Sequence, residues 1–388
     1  MEYISLDKIA VFKQGKQVPI DKQSLVKKDN MVRFVRIVDY TNTSESPRYI
    51  EDFGERYWVD KSDIVMIRYG SQTAGTIVRG IPGIIANNMF QVDVQDQRFN
   101  VDFMFYYLSS SEIKHMLMNG QSSSTMPAIT FGMMKQIMVP IFSLEDQNRV
   151  ASILQQIENK INLNTKINNN LLQQASSIFK AWFIDPDISE HEDWQMVTLE
   201  DITSLVTRGI APKYSDESDQ IVINQKCIRD HMLDLSPARK HLPKKINEKW
   251  LKKGDFLINS TGQGTLGRAA QIWFDPVNMT VDSHVTIVRP KNEKLIYYIG
   301  IWGILHEREI ESLHTGSTGQ TELPRDRVKG LELLLPDENA LDQFNSVVKP
   351  ITEFIISNQN ENIRLADLRD SLLPKLMSGE IDVSDINF

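Results

Sequence analysis

Two stretches of the chain have related sequences: WVDKSDIVMIRYGSQTAG at residues 58–75 and WLKKGDFLINSTGQGTLG at residues 250–267. The offset of 192 aligns Trp58 with Trp250 and keeps one aspartate and two glycines in register. Other identical pairs keep nearly the same offset: Leu6 with Leu199, Gly15 with Gly209, Thr125 with Thr321, Pro140 with Pro336, Asn164 with Asn358 and Ser177 with Ser371. Solenoid repeats are only about 20 to 50 residues long, so this repeat is a whole domain with its connector. The sequence predicts one function performed at two places.

Length and composition agree with a duplicated intracellular protein. A chain of 388 residues is long enough for two or three domains with cores of their own. Cys227 is the only cysteine, so no disulfide can form within the chain, which favours a reducing compartment. Residues 1–15 lack a leader pattern, and the longest apolar stretch, residues 295–305, is too short to span a bilayer. We expect a soluble cytoplasmic protein.

The net charge of −8 lies in the two connectors of the repeat. Residues 144–193 and residues 339–388 each carry 4 basic and 8 acidic side chains, which leaves the globular repeats nearly neutral. Local patches, not whole-chain charge, set affinity for nucleic acid. A run of charge is more often a plain solvated face, so the basic cluster of the second repeat is a weak signal. Its members are Arg239, Lys240, Lys244, Lys245, Lys249, Lys252 and Lys253.

A heptad pattern runs along both connectors and predicts one long helix in each. Polar residues interrupt the apolar seam at Asn164 and Asn168 in the first copy and at Asn358 and Asn362 in the second. If the helices pair antiparallel, positions whose numbers sum to 526 face each other, which sets Asn164 against Asn362 and Asn168 against Asn358. Buried asparagines at a seam lower stability but fix the register. The alternative is a pair of ordinary helices packed on the globular parts.

Each globular repeat is predicted to mix strands and helices. The patterns predict short buried strands at 62–68, 89–94, 254–259 and 285–289, helices at 101–118 and 294–312, and small-residue loops at 119–125 and 315–321. Small hydroxyl and amide side chains suit a close approach to a nucleic acid. Plain flexible turns are an equally good interpretation of these loops.

Three glycines at 262, 264 and 267 match the spacing GxGxxG of dinucleotide-binding folds. That motif requires a helix after the last glycine, but Pro276 and a second predicted strand follow too soon. The first copy lacks the middle glycine. We therefore interpret the shared element as a tight turn between two strands.

No set of residues predicts catalysis. Seven histidines are scattered along the chain, and no CxxC or HExxH spacing indicates a metal. Gly-x-Ser-x-Gly is absent, as is the Asn-Pro-Pro-aromatic signature of an amino-methyltransferase. The sequence therefore predicts a protein without a catalytic site and without a metal site.

Taken together, the sequence resembles the specificity subunit of type I restriction-modification enzymes over essentially its whole length. The resemblance is carried by GSTGQTELPRDRV at 316–328, GQGTLGR at 262–268, LEDQNRVASIL at 144–154, LLPKLMSG at 372–379, and the openings of the two repeats at 6–15 and 199–209. The first copy departs from the pattern at 122–129, where SSSTMPAI replaces TGQTELPR of the second copy. In that family each globular repeat reads one half of a bipartite DNA sequence. Two different half-sites would account for this departure.

The resemblance implies an α+β protein with two target-recognition domains, at 1–143 and 186–338. It also implies two spacer helices, at 144–185 and within 339–388, that form an antiparallel coiled coil about a pseudo-twofold axis. The expected partners are double-stranded DNA, two modification (methyltransferase) subunits and the restriction (translocase and endonuclease) subunits. This chain would bind no cofactor itself, because S-adenosylmethionine, ATP and Mg²⁺ are expected only in partner subunits.

Residues for DNA contact are predicted from the loops at matched places of the two repeats. Arg, Asn and Gln can form paired hydrogen bonds with base edges, and lysines bind phosphates. In the first repeat the predicted residues are Arg68, Tyr69, Gln72, Asn87, Asn88 and Gln121. In the second they are Ser260, Gln263, Thr265, Arg268, His284, Thr318 and Gln320, with Lys244 and Lys245 for phosphates.

Two other classes of protein stay open on sequence alone. In one, the duplicated domains bind proteins and the coiled coil makes the chain a non-enzymatic scaffold. A stand-alone nuclease is the other, and it would need an acidic metal cluster that we do not find. Salt-sensitive retention of DNA separates the scaffold from the DNA reader.

Overall fold

The chain divides into two compact units that each contain one repeat. The computed structural model describes residues 2–42, 45–119, 128–186, 192–242, 246–262, 264–316 and 321–384. Residues 1–162 and 362–388 form the first unit, and residues 163–361 form the second. Each unit therefore takes about half of each long helix.

The first half of the chain begins with short strands and ends in a long helix. Its strands are β1 Tyr3–Ser5, β2 Ala10–Gln14, β3 Met31–Val35, β4 Arg48–Glu51, β5 Trp58–Val59, β6 Ile64–Ile67, β7 Ile77–Arg79, β8 Gly83–Ile85, β9 Met89–Val94 and β10 Met138–Pro140. Its α-helices are α1 Val38–Thr41, α2 Val101–Ser109, α3 Ser111–Asn119, α4 Phe131–Lys135 and α5 Leu144–Phe183. Short 3-10 helices lie at Leu6–Lys8, Ile20–Lys22 and Glu55–Tyr57.

The second half follows the same plan. Its strands are β11 Gln195–Thr198, β12 Thr203–Arg208, β13 Ile221–Ile223, β14 Ile228–Arg229, β15 Met232–Leu233, β16 Arg239–Lys240, β17 Phe256–Asn259, β18 Ala269–Gln271, β19 Met279–Val281, β20 Val285–Pro290 and β21 Glu332–Leu335. Its α-helices are α6 Leu199–Ile202, α7 Ile296–Leu305, α8 Glu307–Ser312, α9 Arg325–Lys329 and α10 Glu338–Met377. Short 3-10 helices lie at Gln225–Cys227, Asn247–Lys249 and Glu293–Leu295.

Each unit has an antiparallel four-stranded sheet. Its order is β2-β9-β6-β7 in the first unit and β12-β20-β17-β18 in the second. A second sheet contains one parallel pair in each unit, β3 with β8 and β13 with β19. Strand β1 pairs with β10, and β11 pairs with β21. The strand order of the main sheet is thus the same in both units.

The central strands are buried on both faces, which explains their uninterrupted apolar sequences. Ile64 and Met66 of β6 belong to the hydrophobic cluster under the helices, whereas Val65 and Ile67 belong to the cluster with the second sheet. The side chains of β17 alternate in the same way, because Phe256 and Ile258 belong to one hydrophobic cluster and Leu257 belongs to another. The two-residue period of a strand produces this division. Strands β6, β9, β17 and β20 confirm the four strands predicted from the sequence.

The predicted helices at 101–118 and 294–312 are each split in two. Ser110 separates α2 from α3 with an extended backbone, and its hydroxyl accepts a hydrogen bond from the amide of Ile113. His306 separates α7 from α8, and its ring Nδ1 lies 2.7 Å from the carbonyl oxygen of Trp302. These side chains satisfy the backbone groups that a helix end leaves open. Apolar periodicity continues across both breaks, so the pattern alone predicted single helices.

Helices α5 and α10 contribute to the core of each unit. In the first unit Leu154 of α5 and Leu376 of α10 lie in one hydrophobic cluster. In the second unit Phe179 of α5 contacts Phe344 of α10 with ring centroids 5.7 Å apart. Such aromatic pairs contribute about 0.5 to 1.5 kcal/mol beyond the area that they bury.

The asparagines of the seam form hydrogen bonds inside their own units. In the second unit the Nδ2 of Asn358 donates to the Oδ1 of Asn168 at 2.8 Å, and the Nδ2 of Asn168 donates to the carbonyl of Ile355 at 3.2 Å. Asn164 donates to the carboxylate of Glu361 at 2.7 Å. In the first unit Asn362 donates to a backbone carbonyl of α5, that of Ile161, at 3.4 Å.

Candidate nucleic-acid interface

A tight turn joins two strands of the main sheet at the same place in both units. In the first unit the amide of Gly75 donates to the carbonyl of Ile67 at 2.9 Å, and in the second the amide of Gly267 donates to that of Asn259 at 2.8 Å. All four matched glycines, at 70, 75, 262 and 267, have positive φ, which L-residues with a side chain rarely adopt. Strand β18 follows the turn of the second unit, so the interpretation as a strand-to-strand turn, without a dinucleotide motif, is confirmed.

Three segments of the first unit meet at Arg68. Its amide donates to the carbonyl of Asn88 at 2.9 Å, which brings in the connection between β8 and β9. The carbonyl of Arg68 accepts from the amide of Ile129 at 2.9 Å, which brings in the segment before α4. We name residues 68–76, 86–88 and 128–129 the first junction.

The second unit has the same arrangement around Ser260. Its amide donates to the carbonyl of His284 at 2.8 Å, and its carbonyl accepts from the amide of Leu323 at 2.8 Å. We name the described residues of 260–268, 282–284 and 321–323 the second junction. Positions 68 and 260 are therefore equivalent, as are positions 129 and 323.

The strand that opens each main sheet ends at a glycine beside the junction. A Cβ on Gly15 would lie 2.2 Å from the carbonyl oxygen of Ala86, and one on Gly209 would lie 2.0 Å from that of Val281. Only glycine permits such an approach of two backbones. The residue before each glycine, Gln14 or Arg208, is thereby equivalent in the two units and adjoins the junction.

Sequence reasoning missed Gln14 and Arg208, and both contact the junction. Arg208 donates from Nη2 to the carbonyl of Leu323 at 3.0 Å, and its Nη1 lies 2.7 Å from a carboxylate oxygen of Glu322. The side-chain Nε2 of Gln14 donates to the backbone carbonyl of Asn87. Their place before the matched glycines Gly15 and Gly209 was the signal that could have identified them.

Two of the predicted residues of the first junction present their side chains fully to solvent. Gln72 and Asn87 are exposed, and Tyr69 and Asn88 are half-buried. The guanidinium of Arg68 lies 5.1 Å from the ring centroid of Tyr69. Gln121 lies outside the described residues. Amide and aromatic groups thus surround a half-buried arginine.

The second junction presents a different set. His284 is exposed, and its Nδ1 lies 2.8 Å from the hydroxyl of Thr261. Thr265 and Arg268 are half-buried, and the guanidinium of Arg268 has no partner within the described part of the chain. Gln263, Thr318 and Gln320 lie outside the described residues.

Ser260 is fully buried, which counts against its predicted contact with a base. Its hydroxyl forms a hydrogen bond with that of Thr286 on the neighbouring strand β20. A side chain without solvent exposure cannot reach a base edge while the junction is intact. The burial of Ser260 could not be predicted from the sequence, because the contact depends on the pairing of two strands that are distant along the chain.

The basic cluster of the second repeat divides into internal and exposed members. Lys249 donates to the carbonyl of Gly209 at 3.0 Å, so it fastens the strand that ends at the junction. Arg239 and Lys240 on β16 are exposed, and the guanidinium of Arg239 lies 3.6 Å from the ring centroid of Tyr214. Lys252 and Lys253 are exposed, whereas Lys244 and Lys245 lie outside the described residues.

The described residues offer no site for metal or thiol chemistry. Among them no group of three or more His, Cys, Asp or Glu side chains is placed to hold a metal ion. Burial raises the pKa of Cys227 to about 11, so its thiol stays protonated at neutral pH. Within the same part of the chain no helix is both long and apolar enough to cross a membrane.

Comparison with known families identifies the class of protein. The model of the type I restriction modification DNA specificity domain matches residues 1–173 and 191–365. The two matches cover most of the chain, so the chain belongs to this family of type I restriction-modification specificity subunits, which are non-catalytic. The predicted resemblance is confirmed.

Individual relatives agree with this assignment. The specificity subunit of the type I restriction enzyme MjaIX from Methanocaldococcus jannaschii is 23% identical over 309 residues, which cover 74% of this chain and 70% of the relative. That of HindI from Haemophilus influenzae is 24% identical over 355 residues, with 72% and 77% covered. The crystal structure of the S subunit from M. genitalium aligns with a TM-score of 0.54 at 14% identity, covering 97% of this chain and 95% of that one. This structural likeness supports the α+β fold.

Proposed function

We propose that each unit reads one half of a bipartite DNA sequence and that the long helices fix the gap between the halves. The repeated junction is the observation that carries this proposal. Three segments meet through the same backbone hydrogen bonds in both units, while the side chains around them differ. Two unlike half-sites require the same backbone arrangement with different base-contacting side chains.

The two long helices are proposed to form an antiparallel coiled coil. The first unit contains the beginning of α5 and the end of α10, and the second contains the end of α5 and the beginning of α10. The hydrogen bond between Asn168 and Asn358 supports antiparallel pairing, because these positions belong to the predicted sum of 526. Each helix has 40 residues, roughly 60 Å at ~1.5 Å per residue. The internal repeat, its pseudo-twofold axis and the boundaries 1–143, 144–185, 186–338 and 339–388 belong to the same proposal.

The proposed readers are the polar side chains around the two junctions. In the first unit Gln72 and Asn87 carry amide groups suited to adenine. Arg268 in the second unit offers a guanidinium without an internal partner among the described residues, which suits guanine. His284 keeps Nε2 for a further hydrogen bond. The remaining proposed readers are Tyr69, Asn88, Gln121, Gln263, Thr265, Thr318 and Gln320.

Phosphate contacts are proposed on the rim of each unit. In the second unit the candidates are Lys244 and Lys245, together with the exposed Arg239 and Lys240. In the first unit the loop between β2 and β3 carries exposed lysines that form no ion pair within the described residues. They are Lys22, Lys27 and Lys28.

The loop between β2 and β3 adjoins β4, since Ser24 forms a bridge with Tyr49. In the second unit the equivalent bridge joins Tyr214 to His241, directly after the basic strand β16. Positive charge therefore lies on neighbouring segments at comparable places, although different loops supply it.

Catalysis in this proposal belongs to other subunits. The coiled coil would dock two modification subunits, which transfer methyl groups from S-adenosylmethionine. Restriction subunits would use ATP and Mg²⁺ for translocation and cleavage. This chain would supply sequence recognition and the spacing between the half-sites.

The proposal is tested by sequencing methylated DNA from a host with and without this gene. We expect one bipartite motif, with two half-sites and a constant gap, to lose methylation when the gene is deleted. Binding of DNA by the assembled complex should weaken with salt, and replacing Lys244 and Lys245 by Ala should lessen that dependence. A scaffold predicts an unchanged methylome and no salt-dependent binding, and this result would refute DNA recognition.

A further inference from the structure

Equivalent positions of the two junctions carry exchanged side chains. The position before the crossing glycine holds Gln14 in the first unit and Arg208 in the second. The position at the centre of the junction holds Arg68 in the first unit and Ser260 in the second. At these two positions each unit thus has one arginine, and the other position holds a smaller uncharged side chain.

The two guanidinium groups donate to equivalent backbone carbonyls, one from the turn after β6 and the other from the end of β12. Arg68 donates from Nε to the carbonyl of Ile129 at 3.1 Å, and Arg208 donates from Nη2 to the carbonyl of Leu323 at 3.0 Å. Residues 129 and 323 are equivalent and fully buried. A buried carbonyl needs a donor, and a charged donor forms a stronger hydrogen bond than a neutral one.

Internal contacts engage two nitrogens of each guanidinium and so limit what it can offer to a base. Arg68 also donates from Nη1 to the Oε1 of Gln14 at 2.8 Å, so two of its three nitrogens are engaged. Both terminal nitrogens of Arg208 are engaged, one by Leu323 and one by Glu322. Paired recognition of guanine requires two adjacent N–H groups of one guanidinium.

We propose that Arg68 and Arg208 are positioning residues that do not read bases. Each fixes the segment at 128–129 or 321–323 to the main sheet, so that the exposed readers around it keep their places. The guanidinium can be supplied from either of two positions: the first unit supplies it from the turn after β6, and the second supplies it from the end of β12. This inference rests on the proposed function and removes Arg68 from the predicted set of base readers.

The exchange of side chains allows a direct test in the second unit. Three variants of the full chain are compared with wild type: Arg208→Gln, Ser260→Arg, and the double variant that copies the arrangement of the first unit. The first removes the donor, the second overfills a buried position, and the double variant restores both the donor and the volume. The complex with its modification subunits is assayed for DNA affinity and for the methylated motif, and melting temperature reports on folding.

We expect Arg208→Gln to weaken binding of the methylated site by on the order of 10-fold, which is about 1.4 kcal/mol, with the motif unchanged. The double variant should bind DNA with an affinity within about 2-fold of wild type, because the arginine at position 260 restores the donor to the carbonyl of Leu323. A variant whose motif relaxes or changes at one base would overturn the proposal, because that base would then be read by the arginine. Failure of a folded double variant to recover affinity would overturn it as well.

A reciprocal pair in the first unit guards against a variant that does not fold. Gln14→Arg with Arg68→Ser copies the second unit, and the same recovery is expected relative to Arg68→Ser alone. If both double variants fail to fold, the two positions cannot exchange their side chains and the proposal is wrong. A wild-type complex that methylates no bipartite site would refute the proposed function instead, and this outcome is distinct because it precedes any substitution.

Discussion

The pair of buried asparagines in the second unit predicts a strong coupling between two substitutions. Asn168 and Asn358 are each 5% exposed, and one amide donates to the other at 2.8 Å. Replacing Asn358 alone by Leu leaves the Oδ1 of Asn168 buried without this donor. An unsatisfied buried acceptor costs about 1 to 3 kcal/mol of unfolding free energy. The double variant with Leu at both positions removes both polar groups, so its stability should equal or exceed that of wild type.

Tryptophan fluorescence during urea unfolding measures the effect. Most of the tryptophans lie in the second unit, so the signal reports mainly on the unit that holds the pair. They are Trp182, Trp194, Trp250, Trp273 and Trp302. With a slope of about 2 kcal/mol per molar urea, the single variant should lower the midpoint by roughly 0.5 to 1.5 M, and the double variant should restore it.

A matched control separates the pair from general effects on the helix. Asn169→Leu changes the neighbouring exposed residue of α5 and should shift the midpoint only slightly, because surface substitutions usually stay within about 0.5 kcal/mol. A double variant that is less stable than either single variant would show that the two amides do not stabilise each other, and the antiparallel register would lose its main support.

Three further predictions concern the second unit and the helices. Arg289→Met should lower the unfolding free energy by about 3 to 5 kcal/mol, because Asp255 is fully buried and would lose the guanidinium that binds it at 2.7 Å; a midpoint shift as small as that of a surface variant would contradict this. The carboxylate of Glu307, 3.2 Å from the Nδ1 of His231, raises the pKa of His231 above its ordinary value of 6.5. The stabilisation is therefore complete below about pH 6.5 and is lost as pH rises through the folded-state pKa. His231→Ala should thus lower the melting temperature more at acidic than at alkaline pH, and equal losses would exclude the ion pair as the cause. Inserting one heptad after Asn164, with a matching heptad in α10, should lengthen the gap of the methylated motif by about three base pairs, since seven residues add roughly 10 Å. An unchanged gap would show that the helices do not set the spacing.

The sequence predicted those parts of the fold that have a regular pattern. Strands β6 and β17 were found because a strand buried on both faces has no polar interruption. The long helices α5 and α10 were found because the heptad pattern continues for most of 40 residues. The predicted repeat was visible in residues 58–75 and 250–267, and a matched pair such as Gly15 and Gly209 agrees with it, because neither can carry a side chain where two backbones cross.

Tertiary contacts explain what the sequence did not predict. The contact of Arg68 with Gln14 joins residues 54 positions apart, and no local pattern encodes it. Ser260 appeared suitable for base contact because of its place in the turn, but its pairing with Thr286 buries it. The breaks between α2 and α3 and between α7 and α8 depend on how single polar side chains bind helix ends, as at Ser110.

Exchange of one recognition region tests modular reading most directly. Residues 1–143 are replaced by the corresponding region of a relative that methylates a different bipartite motif, and the methylome of a host carrying the chimera is sequenced. The account predicts that one half of the motif changes to that of the donor, while the other half and the gap stay as in wild type. A motif that changes in both halves, or in neither, would contradict the claim that each unit reads its own half-site.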